Sequence, residues 1–514
     1  MNDNLMQPKN LLLDSSDPFT VPPNNTEMIG DISTGWWFRE TWREVCRRPN
    51  EILLPIIFFL DAGAATKRLN IEPLTFTLGI LKRSCCNREE LWRTLGYMKS
   101  PVNAEEEDSS TSVSSLTKLK DYHSVLSILL EEVKLVQGCN SGIMFDLHMN
   151  GAVHHVVFKV AVQVVLGDCK GQNILCGQKG GHSLLSNKLC RDCHVSPMES
   201  DDPDYQCKYV HIDDVKGKSR SELDALSMHN IENAFQNVYF GARSSSIFDS
   251  TPPEPLHGVL LGTVKYLYKV FEDLLSSKTI NLINIRMRNM HRIFSSQSIK
   301  DMPCLAAFVG GIQKPDVLTA KDQLARIFGL FLCLQDYDVM DSFANHAKKV
   351  RRHDPNTGKD VTVAGKPLGT QRAKKWIRLI ESTLLMYQWL MAEEHSSSII
   401  TDDREGLTLP EECVGQSRIR EYMRNFSYLM HRREGHGLKI TKFHQLLHYT
   451  RYMAKYGSVQ NFDTGVCEGL AVSMYKRHVK STQRQHHNLN SQIAVRHYYS
   501  LMCAQRQNEL FKTN

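Results

Sequence analysis

The sequence predicts an α/β protein: a mixed-sheet core, a cysteine-rich segment and a large, mostly helical insertion. Three observations carry that prediction. Residues 52–61 read ILLPIIFFLD, an uncharged run rich in Ile and Phe that ends in Asp61. Residues 154–168 read HHVVFKVAVQVVLGD, a longer β-branched run that ends in Asp168. Both have the texture of inner strands buried on two faces, and both are too short to span a bilayer. From about residue 225 to 430 the apolar spacing turns helical, as in Pro255–Leu275, Ala320–Leu334 and Arg372–Met391.

The remaining elements follow in chain order. Residues 1–30 are rich in Pro and Asn and are expected to lack fixed structure. DISTGWWFRETWREVCRR, residues 31–48, has helical spacing after a cap at Ser33, with Trp36, Trp37 and Trp42 as a docking face. LNIEPLTFTLGIL then alternates as one or two strands of a meander, and WRTLGYM closes that unit. Residues 101–118 read as an acidic, Ser-rich loop and 119–136 as a helix. Asn150–Gly151 signals a tight hairpin. Residues 348–378 hold 10 basic and 2 acidic residues with Gly/Pro punctuation, which suggests a basic hairpin or loop.

The charge is unevenly spread. The net charge is +6, yet residues 431–514 alone carry 13 Lys or Arg against 4 Asp or Glu, and 8 of the 21 histidines. A basic block in an otherwise neutral chain is the footprint of a polyanion, most often nucleic acid; a merely soluble basic face is the plain alternative. No run of 18 apolar residues and no secretory leader is seen, so the expected setting is intracellular, without a membrane. In a reducing compartment, close pairs among the 14 cysteines suit metal better than disulfides.

Three groups of residues carry candidate chemistry. Asp61 and Asp168, delivered by inner strands to one sheet end, have the arrangement that holds Mg²⁺ or Mn²⁺. Cys190 and Cys193 have the two-residue spacing of a structural Zn²⁺ site, with Cys176 as a third ligand and Cys207 or His211 as a fourth. A redox CxxC or simple packing are the competing readings. Glu468, early in a helix capped by Thr464, supplies a third carboxylate, with Lys476 and Lys480 on the same side to grip phosphates. His444 and His448 fall one turn apart with no acid at metalloprotease spacing, and are expected to be structural or to contact backbone. Arg351, Arg352, Lys374 and Lys375 are further candidates for phosphate contact.

Taken together, LLPIIFFLD, LNIEPLTFTLGILKR, WRTLGYM, FKVAVQVVLGDCKGQNILCG, KLCRDCH, HNIENAF, PEPLHG, GLKITKFHQLLHY and NFDTGVCEG resemble, in that order, the transposase of Plavaka-type DNA elements. That group is related to the CACTA and Kyakuja–Dileera–Zisupton transposases, and the resemblance spans roughly residues 30–500. It implies a ribonuclease-H-like core: 31–175 its first part, 176–224 a zinc-binding insertion, 225–430 a helical insertion, and 431–514 the return to the core. It further implies a catalytic triad of Asp61, Asp168 and Glu468, a recurring histidine at His257, DNA as partner, a homo-oligomer, and a nuclear location in a eukaryote. Relatives carry polar residues where this chain has Ala62, Gly63, Ala64 and Ala65, and again where it has Gly469, Leu470, Ala471 and Val472. Losing such neighbours typically costs 10–100-fold at a metal site. A catalytically inactive, transposase-derived DNA-binding protein is therefore the alternative, and a zinc-stapled scaffold the third reading.

Overall fold

A computed structural model of the chain describes residues 7–23, 27–61, 63–64, 70–86, 88–99, 115–139, 141–179, 187–296, 306–309, 311–312, 319–354, 359–397, 414–430, 438, 440–471, 477–480, 482 and 489–510. Its strands are β1 (Met28–Ile29), β2 (Glu51–Leu60), β3 (Gly63–Ala64), β4 (Asn70–Leu78), β5 (Arg93–Lys99), β6 (Ile143–Met149), β7 (Ala152–Leu166), β8 (Lys349–Asp354), β9 (Lys359–Ala364) and β10 (His395–Ser396). The central sheet has six strands in the order β3-β4-β2-β7-β6, with β5 added on β4. β2 and β7 run parallel, while β4, β5 and β6 pair antiparallel to their neighbours. This is a mixed sheet flanked by helices.

The apolar runs explain which strands lie at the centre. Every residue of β2 is buried, as its unbroken Ile/Leu/Phe content requires of a strand covered on both faces. β7 begins as the outer half of a hairpin with β6 and becomes fully buried from Val160 onward. The hairpin turn has φ of 50° at Asn150 and 79° at Gly151, the left-handed pair that a two-residue Asn-Gly turn supplies.

The helices are α1 (Trp36–Val45), α2 (Ser115–Leu129), α3 (Glu131–Gly138), α4 (Cys169–Cys176), α5 (Arg220–Ala225), α6 (Lys265–Leu274), α7 (Ser277–Ser296), α8 (Ala306–Val309) and α9 (Ala320–Cys333). They continue as α10 (Tyr337–Asn345), α11 (Thr370–Leu390), α12 (Val414–Leu429), α13 (Thr441–His444), α14 (Tyr449–Tyr456), α15 (Gly465–Ala471), α16 (Arg477–Lys480) and α17 (Leu489–Leu510). Trp37 and Trp42 are buried in α1, which packs on β2, β7 and α14. One hydrophobic core runs from Leu11 to Ile493, so the chain returns to the sheet after its long helical excursion. No helix among the described residues is long and apolar enough to cross a membrane.

Three expectations need correction. The leader is ordered where it is described: Leu11 and Ile29 are buried, Leu11 bridges Leu81, and β1 pairs β10. Its apolar residues gain more from the core than the Pro/Asn composition loses. The single helix expected over 119–136 is broken at Leu130 into α2 and α3. The helix expected from Pro255 opens with a π-wound segment, Leu256–Val264, before α6. π-turns of this kind often mark functional sites. The basic stretch does form a hairpin, β8–β9, whose turn lies outside the described residues.

Candidate metal centre and acidic sheet edge

The strongest constellation joins two distant segments. Cys190, Cys193, His444 and His448 place one sulfur or ring nitrogen each within 4.8 Å of one another, and all four side chains are buried. A tight turn presents the thiols: Leu189 N donates to Val195 O at 3.0 Å, and Cys193 bridges Tyr209. The imidazoles come from α13 and the 3₁₀ turn that follows it, one helical turn apart. His448 Nε2 lies 3.4 Å from Cys190 Sγ, and His444 Nε2 lies 3.1 Å from Cys193 Sγ. Two thiols and two imidazoles on a closed, buried shell could hold a metal ion in a structural role.

The electrostatics agree with that chemistry at one thiol and oppose it at the other: burial and its hydrogen bonds with Cys190 and Cys207 push Cys193 up. Burial works against a thiolate at Cys190, but the Cys193 hydrogen bond and the His448 charge hold it well below the ordinary thiol range. Burial likewise opposes charge on His448, yet the adjacent Cys207 and Cys190 raise it. Around the shell, Asp192 accepts from Tyr452 Oη at 2.6 Å and from Gln445 Nε2 at 3.4 Å. Arg191, fully buried, donates to Gln172, Asn173 and Thr251. The clasp is thereby tied to α4 and so to the end of β7.

The thiols and imidazoles only partly match the expected ligands. Cys190 and Cys193 are brought together as anticipated. Cys207 lies beside them, hydrogen-bonded to Cys193, which lowers its pKa, as do His444 and His448. Cys176 is elsewhere, facing Thr251 Oγ1 at 3.6 Å and Ile247 O at 3.9 Å. His211 heads a 3₁₀ turn and exchanges hydrogen bonds with Asp214. The two partners that sequence reasoning set aside, His444 and His448, complete the group. Their i, i+4 spacing was the visible signal; the thiols that answer it lie about 250 residues earlier.

The second constellation is acidic. Phe59 pairs Leu166 in the parallel ladder, and Asp61 and Asp168 each follow two residues beyond that pair, at the same end of β2 and β7. Gly167 lets the strand ends approach, since a Cβ there would meet Leu60 O at 2.6 Å. Asp168 also caps α4, accepting Gly171 N at 2.6 Å. On the other side of β2, Glu72 of β4 is buried and accepts Tyr122 Oη at 2.9 Å. Burial pushes the Glu72 carboxyl up to about 7, and the charges of Asp61 and Asp168 add to the rise, against the Tyr122 hydrogen bond. Sequence reasoning missed Glu72, although a lone acid inside the alternating run NIEPLTF was a signal.

Glu468 lies in α15 and contacts His257 Nε2 at 3.2 Å. The far side of that imidazole, Nδ1, is 2.9 Å from Glu254, which also accepts Thr464 Oγ1 at 2.9 Å. Burial disfavours the charged imidazole, but Glu254 and then Glu468 lift it to about 9. Burial raises Asp463 to about 6, helped by Glu254. Asp463 and Cys467 line a cavity of about 50 Å³ together with Ile57 and Leu166, which sets this segment against the central strands. Among the described residues, Asp61, Asp168 and Glu468 do not form a group of the compactness seen in the thiol–imidazole clasp. Lys374 and Lys375 are exposed on α11, Arg351 and Arg352 lie on β8, and Lys480 lies in α16. Lys476 is outside the described residues.

Glu72 makes a prediction about pH. A carboxyl raised from 4.5 to about 7 binds its proton more tightly folded than unfolded. Stability should therefore fall as pH rises from about 4.5 to about 7 and stay level above that, by roughly 3 kcal/mol. Glu72→Gln should remove the fall, gaining stability at pH 8 and little at pH 4. Urea unfolding at both values, without added divalent cation, checks this.

Fold and site define the class: an α/β protein with a buried Cys/His clasp and an acidic edge on its central parallel strands. No family model matches the chain, and no curated protein is significantly similar to it.

Proposed function

We propose that the chain is a transposase-type DNA strand-transfer protein on a ribonuclease-H-like core, with structural Zn²⁺ in the clasp. The observation that carries this reading is the β2–β7 register, which brings Asp61 and Asp168 to the same end of adjacent parallel strands. The strand order supports it too: an antiparallel meander β2–β4–β5, helices, then a strand parallel to the first. The negative charge felt at Glu72 is what a divalent cation at that edge would neutralise. Asp61 and Asp168 would hold Mg²⁺ or Mn²⁺, with Glu468 as third carboxylate. Such an ion activates the attacking oxygen and steadies the leaving one. Lys374, exposed on the helix after the basic hairpin, supports a phosphate-backbone contact.

One observation favours a second reading, a DNA-binding protein without catalysis: Glu468 is engaged by His257. A supercoiled-plasmid nicking assay with and without Mg²⁺ or Mn²⁺ separates the two. Metal-dependent nicking supports the first; binding without nicking supports the second.

DNA affinity should fall with salt in either case, the log–log slope having a magnitude of roughly 0.9 per phosphate contacted. Lys374→Gln is expected to lower that magnitude by about 0.9. Lys375→Gln should lower it less, because the Lys375 ammonium is held 3.7 Å over the Tyr428 ring. Titrations at three salt concentrations measure both.

A further inference from the structure

Away from the acidic edge and the basic hairpin, a cavity of about 240 Å³ opens beside the clasp, lined by Trp36, Arg243, Ser244, Ser246 and Arg451. Its cations are accounted for in unequal ways. Arg243 is clamped by both oxygens of Glu40 at 2.6 Å. Lys455, behind the cavity, gives its charge to Asp249 at 2.7 Å, which takes up the carboxylate that Asp249 brings to the lining. Arg451 has no such contact, and Asp249 and Asp192 act on it only from beyond ion-pair distance. Its guanidinium lies 3.6 Å over the Tyr209 ring, and among the described residues no carboxylate comes within ion-pair reach and no acceptor takes its N–H groups. Asp213, the other acid of the lining, is exposed.

Arg451 is half-buried; burial works against its charge, while Tyr209, Tyr452 and the carboxylates of Asp249 and Asp192 favour it. Neither carboxylate lies within ion-pair distance, which leaves the N–H fork for an incoming anion to contact. The stack beneath Arg451 continues into the protein, since the Tyr209 ring also meets the His448 ring at 5.7 Å. The fork is therefore held in place rather than swinging in solvent. Ser244, exposed at the rim, adds a hydroxyl donor. Pockets for drug-sized molecules run to roughly 300–1,000 Å³, so this one suits a smaller guest.

We propose that this cavity is a phosphate-binding site in which Arg451 grips two oxygens of a tetrahedral oxyanion and Ser244 a third. A planar fork plus hydroxyls matches phosphate geometry. The phosphate could belong to a nucleic-acid strand or be free in solution. The site does not rest on the acidic triad, and its failure would leave that reading intact.

Calorimetry on the full chain tests it, with inorganic phosphate and with short single-stranded oligodeoxynucleotides, with and without a 5′ phosphate. The wild type is expected to bind phosphate at one site. Arg451→Met, which keeps the apolar stem, should weaken it about tenfold or more, the worth of a charged hydrogen bond. Ser244→Asp should also abolish binding by replacing the hydroxyl with a negative charge in the lining, on an exposed residue whose change leaves the core intact. Oligonucleotide binding that phosphate competes away and both variants lose identifies a strand as the source. Phosphate binding alone identifies the free ion. No phosphate binding by the wild type, or equal binding by well-folded Arg451→Met and Ser244→Asp, overturns the proposal.

Discussion

Freshly purified, reduced protein is expected to hold about one zinc ion per chain, and Cys193→Ala none. Cys193 is wholly buried between His444 and Cys207, so no solvent ligand can replace it. Structural zinc contributes about 10–16 kcal/mol in small finger peptides at neutral pH. That is comparable with the whole stability of a typical protein, about 5–15 kcal/mol. Cys193→Ala and His448→Ala should therefore abolish cooperative unfolding, not merely lower its midpoint. Cys176→Ala and His211→Ala should keep the ion, because both residues point to other partners. Cys207→Ala should also keep it, since four donors close the shell without it. Metal analysis beside thermal unfolding decides the matter; full zinc occupancy in Cys193→Ala would remove the clasp from the argument.

If the wild type nicks DNA, Asp61→Asn and Asp168→Asn should each lower the rate about a hundred- to a thousandfold, as losing a principal charge-stabilising group does. The pair Asp168→Asn and Asp168→Ala carries extra information. Asn still caps α4 through its side-chain oxygen, whereas Ala loses the bond to Gly171 N. Asn should thus keep stability while losing nicking, and Ala should lose about 1 kcal/mol besides. Single-turnover rates with parallel denaturation curves measure the two effects separately. Nicking that survives in Asp168→Asn would mean the carboxylate is only a helix cap.

The central sheet was legible because its inner strands need no partner to declare themselves: β2 and the second half of β7 are continuous apolar runs. The hairpin at Asn150 was legible for the same local reason, a backbone that must turn with positive φ. What the sequence hid was long-range. Nothing near Cys190 indicates that its partners are His444 and His448, and nothing near His257 indicates Glu468. The leader departs from its composition because its few apolar residues, Leu11, Leu13 and Ile29, are buried, and Leu11 bridges Leu81. The π-wound turn that carries His257 has no local sequence rule behind it.

The clasp also has a timetable. Cys193 and His444 are separated by 251 residues. A ribosome adding about 5–20 residues per second delivers the histidine roughly 13–50 s after the cysteine. For that interval the two thiols of the nascent chain are available to oxidants, to stray metal and to each other. A chain released before residue 444 keeps its thiols without their lock. Production of soluble protein should accordingly respond to zinc and reductant supplied during synthesis, and much less to the same additions made after release.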